Sequence, residues 1–319
     1  MKVLVTGGAG FIGSHLIDSL IERNHDVVCL DNFSSGKREF IEHNLSNMEL
    51  VEGDLLNRED IRKAIKGCDT VFHIAANPDV RSGAKDTKTQ FENNIVATYN
   101  LLEEMREGNI NKITFTSSST VYGEAKIIPT PENYGPLIPI SVYGASKLAS
   151  EAMISSYCHT FDMEGVIYRF ANVVGPRSTH GVIYDFIRKL RKNPEELEIL
   201  GDGTQKKSYL YIDDCIEAML FGFEKRKERL EIYNIGSEDW TDVKTIADIV
   251  SSEMGLKPKY RFTGGIDGRG WKGDVKFMRL DISKLKERGW TPRYTSNDAI
   301  RMTARWLIKE MQGKSNIKP

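Results

Sequence analysis

The chain opens on a glycine turn, Thr6-Gly7-Gly8-Ala9-Gly10-Phe11-Ile12-Gly13, set between an apolar run, Val3-Leu4-Val5, and an amphipathic stretch over 11–21. That order reads as strand, tight turn and helix, and it constrains the fold more than any other segment. The first glycines permit the turn, Gly10 lets the main chain approach a ligand, and Gly13 lets helix and strand pack closely. The free N–H groups and positive dipole end of the helix then favour a pyrophosphate. A second apolar run, Val27-Val28-Cys29-Leu30, ends at Asp31. This lies about 20 residues on, where a carboxylate accepts from the hydroxyls of an adenosine ribose. The same carboxylate repels a 2′-phosphate, so NAD is expected over NADP, a preference that nearby Lys37 and Arg38 moderate.

Strand and helix signals alternate through the first half. Strands are expected at 48–51, 70–73, 112–116 and 166–169, and helices from about 58 to 66, 89 to 107 and 142 to 160. Such alternation predicts an α/β fold, a doubly wound parallel sheet of the Rossmann type, with ligands outside the carboxyl ends of the strands. Gly10, Asp31, Asp54, Ala75 and Ser118 all fall at such ends. Past residue 172 the chain loosens into loops punctuated by Gly-Pro, Gly-Asp-Gly and Gly-Gly, with strands at 209–212 and 232–235 and a helix over 241–255. The division expected is an NAD-binding domain, 1–172 with about 206–236, and a smaller α/β substrate-binding domain, about 173–205 with 237–319.

Composition narrows the function. With 319 residues, 40% of them hydrophobic, a sizeable core is available. A net charge of −1 gives no global attraction to nucleic acid or to an anionic membrane. No apolar run approaches the ~20 residues of a membrane span, and the first strand begins too early to be a secretory leader. Cys29, Cys68, Cys158 and Cys215 are scattered and form no C-x-x-C pair. Neither a metal site nor a disulfide framework is expected, and a cytoplasmic location fits.

Tyr143-Gly144-Ala145-Ser146-Lys147 places a phenol and an ammonium on one face of a helix. A lysine held there is expected to lower the phenol's pKa and make it a base near neutral pH. Thr116-Ser117-Ser118-Ser119 ends the fifth strand, where a serine hydroxyl can bond the same substrate oxygen as Tyr143.

With these residues the chain resembles the extended short-chain dehydrogenase/reductase family, and within it the nucleotide-sugar epimerases similar to UDP-glucose 4-epimerase. The resemblance runs through essentially the whole chain. It carries the cofactor-binding roles onto Gly7, Gly10, Phe11, Ile12 and Gly13, onto Asp31 and Asn32, onto Asp54 and Leu55, and onto Ala75, Asn94, Tyr143 and Lys147. It makes Ser118, Tyr143 and Lys147 catalytic, and it implies substrate contacts at Thr120, Asn172, Lys207, Arg269, Asp274 and Met278. The family's mechanism is a transient oxidation at the sugar C4, in which Tyr143 takes the hydroxyl proton and hydride passes to NAD. The 4-keto sugar then turns over and hydride returns to its other face. A homodimer joined by the two long helices is also implied, with Ile95, Tyr99, Leu102, Met153 and Tyr157 as candidate contacts.

One position separates branches of the family. Members that dehydrate or decarboxylate the sugar carry an acid at or beside position 120, whereas this chain has Ser119 and Thr120, and its nearest acid is Glu124. The reading is therefore a UDP-sugar 4-epimerase, with UDP-glucose/UDP-galactose first. The alternatives are an epimerase of a UDP-N-acetylhexosamine or uronate, a sugar-nucleotide dehydratase or ketoreductase, and a non-catalytic dinucleotide-binding module. Two departures bear on the sugar. Lys206-Lys207 stands where the family has a phosphate-gripping arginine, and Met278 stands where some epimerases have a tyrosine that narrows the pocket.

Overall fold

The computed structural model describes residues 1–315 except 82 and 84. The alternation read from the sequence becomes a seven-stranded sheet. Six of its strands come early: β1 (Lys2–Thr6), β2 (Asp26–Asp31), β3 (Met48–Glu52), β4 (Thr70–His73), β5 (Lys112–Ser118) and β6 (Glu164–Phe170). They lie in the order 3-2-1-4-5-6, and strand Leu230–Ile235 extends the sheet beyond β6. Every ladder from β3 across to β6 is parallel. The doubly wound α/β expectation therefore holds, with its order reversal between β1 and β4.

Helices α1 (Phe11–Glu22), α2 (Arg58–Ile65), α3 (Thr87–Gln90), α4 (Ala97–Glu107) and α5 (Val142–Thr160) connect these strands. The helix expected over 89–107 is not uniform: residues Phe91–Val96 between α3 and α4 are π-helical. Leu4, Val28, Leu30, Val71, Leu101, Ile113, Phe115, Ile154 and Ile167 belong to the core of this region. Each such side chain contributes about 1.5–3 kcal/mol relative to exposure.

Contacts divide the chain into two compact units: Met1–Gly123, Gly135–Phe170 and Ile216–Tyr233 in the first, and Glu124–Tyr134, Ala171–Cys215 and Asn234–Pro319 in the second. Residues 206–215, expected with the first domain, belong to the second. The reason is pairing: strand Tyr209–Tyr211 runs beside Asn172–Val174, and Lys206–Lys207 lies between Thr241–Asp242 and Phe277–Met278. The second unit's core packs helices Val182–Lys192, Val243–Glu253 and Ser296–Ser315 around residues such as Phe186, Leu190, Ile246 and Ile300.

No described helix is long and apolar enough to cross a membrane. Among the described residues no cluster of His, Cys, Asp and Glu is placed to hold a metal ion. All four cysteines are free and buried. Two residues offered as dimer contacts prove to be core: Leu102 and Tyr157 are buried within the first unit. Tyr99 and the neighbouring Phe91 are exposed.

Candidate active site

The glycine turn is shaped by close approach. Gly7 has φ +69°, and a Cβ there would lie 2.7 Å from the Cα of Ala75. On Gly13 a Cβ would lie 2.2 Å from the Gly7 carbonyl oxygen, so only glycine lets α1 start this near the turn. Gly10 is looser, its nearest obstacle being the Gly7 carbonyl oxygen at 3.2 Å. Its bareness serves the space before the helix more than the packing behind it. No side chain caps α1 at Gly10, so the N–H groups of Phe11, Ile12 and Gly13 are left for an anion. The cradle fits the diphosphate of a dinucleotide.

The ends of β2 and β3 fit its adenosine. Asp31 is buried; Oδ2 accepts from Ala9 N–H at 2.9 Å and Oδ1 from Phe33 N–H at 2.8 Å. Burial pushes its carboxyl above the ordinary carboxylate value, against the pull of those two donors. Asn32 donates to Asp54 Oδ2 at 2.9 Å, and Asp54 Oδ1 accepts from Leu56 N–H at 2.8 Å. The Leu55 carbonyl accepts from Asn100 at 3.0 Å. Asp31, Asn32, Asp54 and Leu55 are thus gathered at neighbouring strand ends.

A directed row of hydrogen bonds runs beneath the turn. Thr98 Oγ1 donates to the Asn94 carbonyl at 2.6 Å, so it accepts from His73 Nε2 at 3.0 Å. That assigns the proton to Nε2 and leaves Nδ1 to accept from Thr6 Oγ1 at 2.8 Å, while Thr6 Oγ1 accepts from Ala75 N–H at 3.3 Å. Burial, aided by the Lys147 charge, pushes the His73 pKa down to about 3, so the ring is neutral and structural. Asn94 lies in the π-helical segment. Its amide, expected to face the cofactor, is taken up by the protein: Oδ1 accepts from Asn77 N–H, and Nδ2 donates to Gln90 Oε1 and Ser146 Oγ, each at 2.8 Å. It braces the loop after β4 against α5.

The catalytic candidates meet where the end of β5 lies on α5. Ser141 caps α5 by accepting from Gly144 N–H at 3.0 Å. A Cβ on Gly144 would lie 2.7 Å from the Thr120 carbonyl oxygen, so this glycine brings Tyr143 up to the serine turn. Ser118 Oγ accepts from Thr120 N–H and Thr120 Oγ1, at 3.2 and 3.0 Å, and pairs with the Tyr143 hydroxyl. Lys147 is buried and donates to the Thr116 carbonyl at 2.8 Å, its ammonium 5.9 Å from the centre of the Tyr143 ring. The expected acidification of the phenol by lysine does not prevail in this balance. Burial pushes Tyr143 up to about 12 against the Ser118 hydrogen bond, and it pushes Lys147 down to about 7 against the charge of Glu151.

The second unit gathers its own candidates. Lys207 and Met278 are partners in a parallel ladder. Lys207 Nζ donates to Asp274 Oδ1 at 2.6 Å, and Asp274 is itself buried. Arg269 donates to the Asp274 carbonyl at 2.8 Å and pairs with Glu124. Asn172 lies in register with Tyr209, two positions from Lys207.

Sequence reasoning passed over Ser117, Glu151 and Arg169. All three are buried, and they bond one another beside Lys147. Two signals pointed to them: a glutamate at the next helical turn after Tyr143 and Lys147, and a lone arginine inside the apolar strand Val166-Ile167-Tyr168-Arg169-Phe170.

Residues 3–236 match the sequence profile described as the NAD dependent epimerase/dehydratase family. The chain belongs to that family. Among relatives of this epimerase/dehydratase, a putative UDP-glucose 4-epimerase of Methanocaldococcus jannaschii is 36% identical over 311 residues, covering 96% of this chain and 98% of the relative. A crystal structure of a UDP-galactose 4-epimerase is 46% identical, with a TM-score of 0.87, over 98% of this chain and all of that one (100%). A Bacillus cereus UDP-glucuronic acid 4-epimerase, solved with UDP-glucuronic acid and NAD, is 32% identical with a TM-score of 0.88, again over 98% and 100%.

Proposed function

We propose that this family member is a UDP-hexose 4-epimerase, with UDP-glucose and UDP-galactose as its first substrates. The observation that carries the reading is the Ser118–Tyr143–Lys147 cluster, set at a strand end whose neighbours Ser119 and Thr120 bring no carboxylate. Glu124 is held by Arg269. Without an acid to work at C5, the chemistry stops at the ketone and reverses.

The first unit is assigned to the dinucleotide. The turn from Gly7 to Gly13 holds the diphosphate, Asp31 and Asn32 the ribose, Asp54 and Leu55 the adenine, and Ala75 and Tyr143 with Lys147 the nicotinamide half. What NAD supplies when bound is a reversible hydride acceptor. Tyr143, which burial alone keeps protonated, acts as the phenolate once Lys147 and the positive charge of bound NAD offset that burial, and its Oη then takes the proton of the sugar 4-hydroxyl and gives it back. Ser118, whose oxygen already accepts twice from Thr120, is left to donate its own proton, to Tyr143 Oη as it stands and to the reacting oxygen when the sugar is bound. Lys147 supplies the positive charge that offsets the phenolate. The second unit is assigned to the sugar nucleotide, with Asn172, Lys207 and Arg269 on the diphosphate, Asp274 holding the lysine and Met278 against the sugar; Thr120 of the first unit also serves the sugar. A flexible thioether tolerates a bulkier ring, which keeps UDP-N-acetylhexosamines and uronates as second substrates.

We assign a homodimer through α5 and the helical stretch formed by the π-helical segment and α4, using Tyr99, Ile95 and Met153 but not the buried Leu102 and Tyr157, and a cytoplasmic location consistent with four unpaired thiols. The test is proton NMR of UDP-galactose with purified protein, beside UDP-N-acetylglucosamine and UDP-glucuronate, and mass spectrometry of dinucleotide released on denaturation. A new 4-epimer without added NADH is expected. A 4-keto-6-deoxy product, or a need for stoichiometric reductant, would replace the reading with the dehydratase or ketoreductase. Size exclusion with light scattering reads the dimer, which Tyr99→Asp is expected to dissociate.

A further inference from the structure

Three successive residues at the end of β5 meet the 143/147/151 stripe of α5. The Thr116 carbonyl takes the Lys147 ammonium at 2.8 Å, Ser117 Oγ donates to Glu151 Oε1 at 2.5 Å, and Ser118 pairs with Tyr143. Of these contacts the middle one is anchored from a third element. Arg169 sits opposite Ser117 in the β5–β6 ladder. Its Nη2 donates to Glu151 Oε2 at 2.7 Å and its Nε to Oε1 at 3.1 Å, while Nη1 donates to Tyr122 Oη at 3.0 Å. Glu151 and Arg169 are both buried. A buried ion pair is weak support for stability, because desolvation offsets its attraction. Its placement calls for another role.

We propose that Glu151, clamped by Arg169 and Ser117, is the positioning residue of this site, fixing the end of β5 on α5 and supplying the negative charge against which Lys147 remains a cation. The inference rests on Tyr143 and Lys147 being the catalytic pair. The groups around Lys147 leave this task to Glu151. Tyr143 precedes it by one turn and is protonated in this balance. His73 on β4 is neutral. Phe115 on β5 offers only its ring face, 4.7 Å from the ammonium. Arg169 on β6 has the same sign of charge and is turned to Glu151. Burial already draws Lys147 down to about 7, and Glu151 opposes that pull.

Glu151→Gln keeps the volume and an acceptor for Ser117 but removes the charge. The readout is the titration of Lys147 in protein labelled with 13Cε-lysine, its signal assigned by the spectrum of Lys147→Arg. The midpoint is expected to fall by about one pH unit, a tenfold change in the lysine's proton affinity. The alkaline limb of kcat should move the same way, with KM little changed. A folded variant whose Lys147 midpoint moves by less than about 0.3 unit overturns the proposal. Should Glu151→Gln not fold, Arg169→Gln keeps Glu151 and removes the opposing cation; the Lys147 midpoint is then expected to rise, and a folded variant in which it moves by less than about 0.3 unit overturns the proposal. The titration needs no sugar nucleotide, so a wild-type protein inactive on every UDP-hexose would defeat the substrate reading and leave this test intact.

Discussion

In the first unit the place for an anion is made of backbone: a glycine turn, an uncapped helix start, and no cation among its parts. In the second, the cations expected to meet a phosphate are already engaged with carboxylates far off in sequence, Lys207 with Asp274 and Arg269 with Glu124. The first arrangement is rigid and local, and it tolerates no change of shape. The second is made of side chains that a ligand must share with an existing partner, so it tolerates change at the cost of affinity. Substitutions in the two units should therefore fail differently, abruptly in the first and by degrees in the second.

The largest effect is expected at the catalytic corner. Tyr143→Phe should lower kcat about a thousandfold with KM and thermal midpoint little changed, measured by NMR of the epimer ratio over time. Activity surviving in that variant would move the chemistry away from β5 and α5. Next comes the turn itself. Gly13→Ala forces a methyl against the Gly7 carbonyl, and should cost about 1–3 kcal/mol and abolish co-purified dinucleotide, read by denaturant melts and mass spectrometry. A variant that retains its cofactor would show that the cradle yields, and the contrast between the units would weaken.

In the second unit, Lys207→Met/Asp274→Asn removes the pair without stranding a buried carboxylate. It should raise KM for the UDP-sugar about tenfold, or ~1.4 kcal/mol, with kcat nearly constant. A fall in kcat instead would place the pair nearer the reacting carbon than assigned here. The smallest effect concerns pH. Asp31, assigned above to the ribose, can accept from its hydroxyls only as a carboxylate, and burial raises its pKa above the ordinary value. Dinucleotide retention should weaken as pH falls, beginning above the ordinary aspartate value of about 3.9. The sign for folding is opposite: a raised carboxyl pKa adds stability below the unfolded value and loses it as pH rises through the folded one. Gel filtration of the holoprotein at stepped pH separates the two. Release that begins only below the ordinary aspartate range would remove Asp31 from the contact.

How much of this was legible in the sequence follows from the same contrast. The turn, the strands and the doubly wound sheet are local or periodic features, and the sequence pattern puts Asp31 and Asp54 at the strand ends where they lie. The Tyr143–Lys147 pair was legible because a helix fixes its spacing. Its electrostatics were not, because burial depends on what packs above the ring. Asn94 was placed correctly in a helix and given to the cofactor by resemblance, but nothing local reveals that Asn77, Gln90 and Ser146 converge on its amide. The π-helical turn that seats it leaves no mark in the apolar pattern. Lys206–Lys207 was put with the wrong unit because a two-residue strand has no periodicity, and only pairing with distant strands decides where it belongs.

The row from Ala75 through Thr6, His73 and Thr98 to Asn94 has a further consequence. Each hydroxyl and ring proton in it is committed in one direction, and the imidazole resists a second proton down to about pH 3. The row begins at a backbone N–H and ends on a backbone carbonyl, neither of which readily gives up or takes on a proton, so the row insulates. On the proposed mechanism, the proton that Tyr143 takes finds no inward exit along this row and is returned from the side on which it was taken.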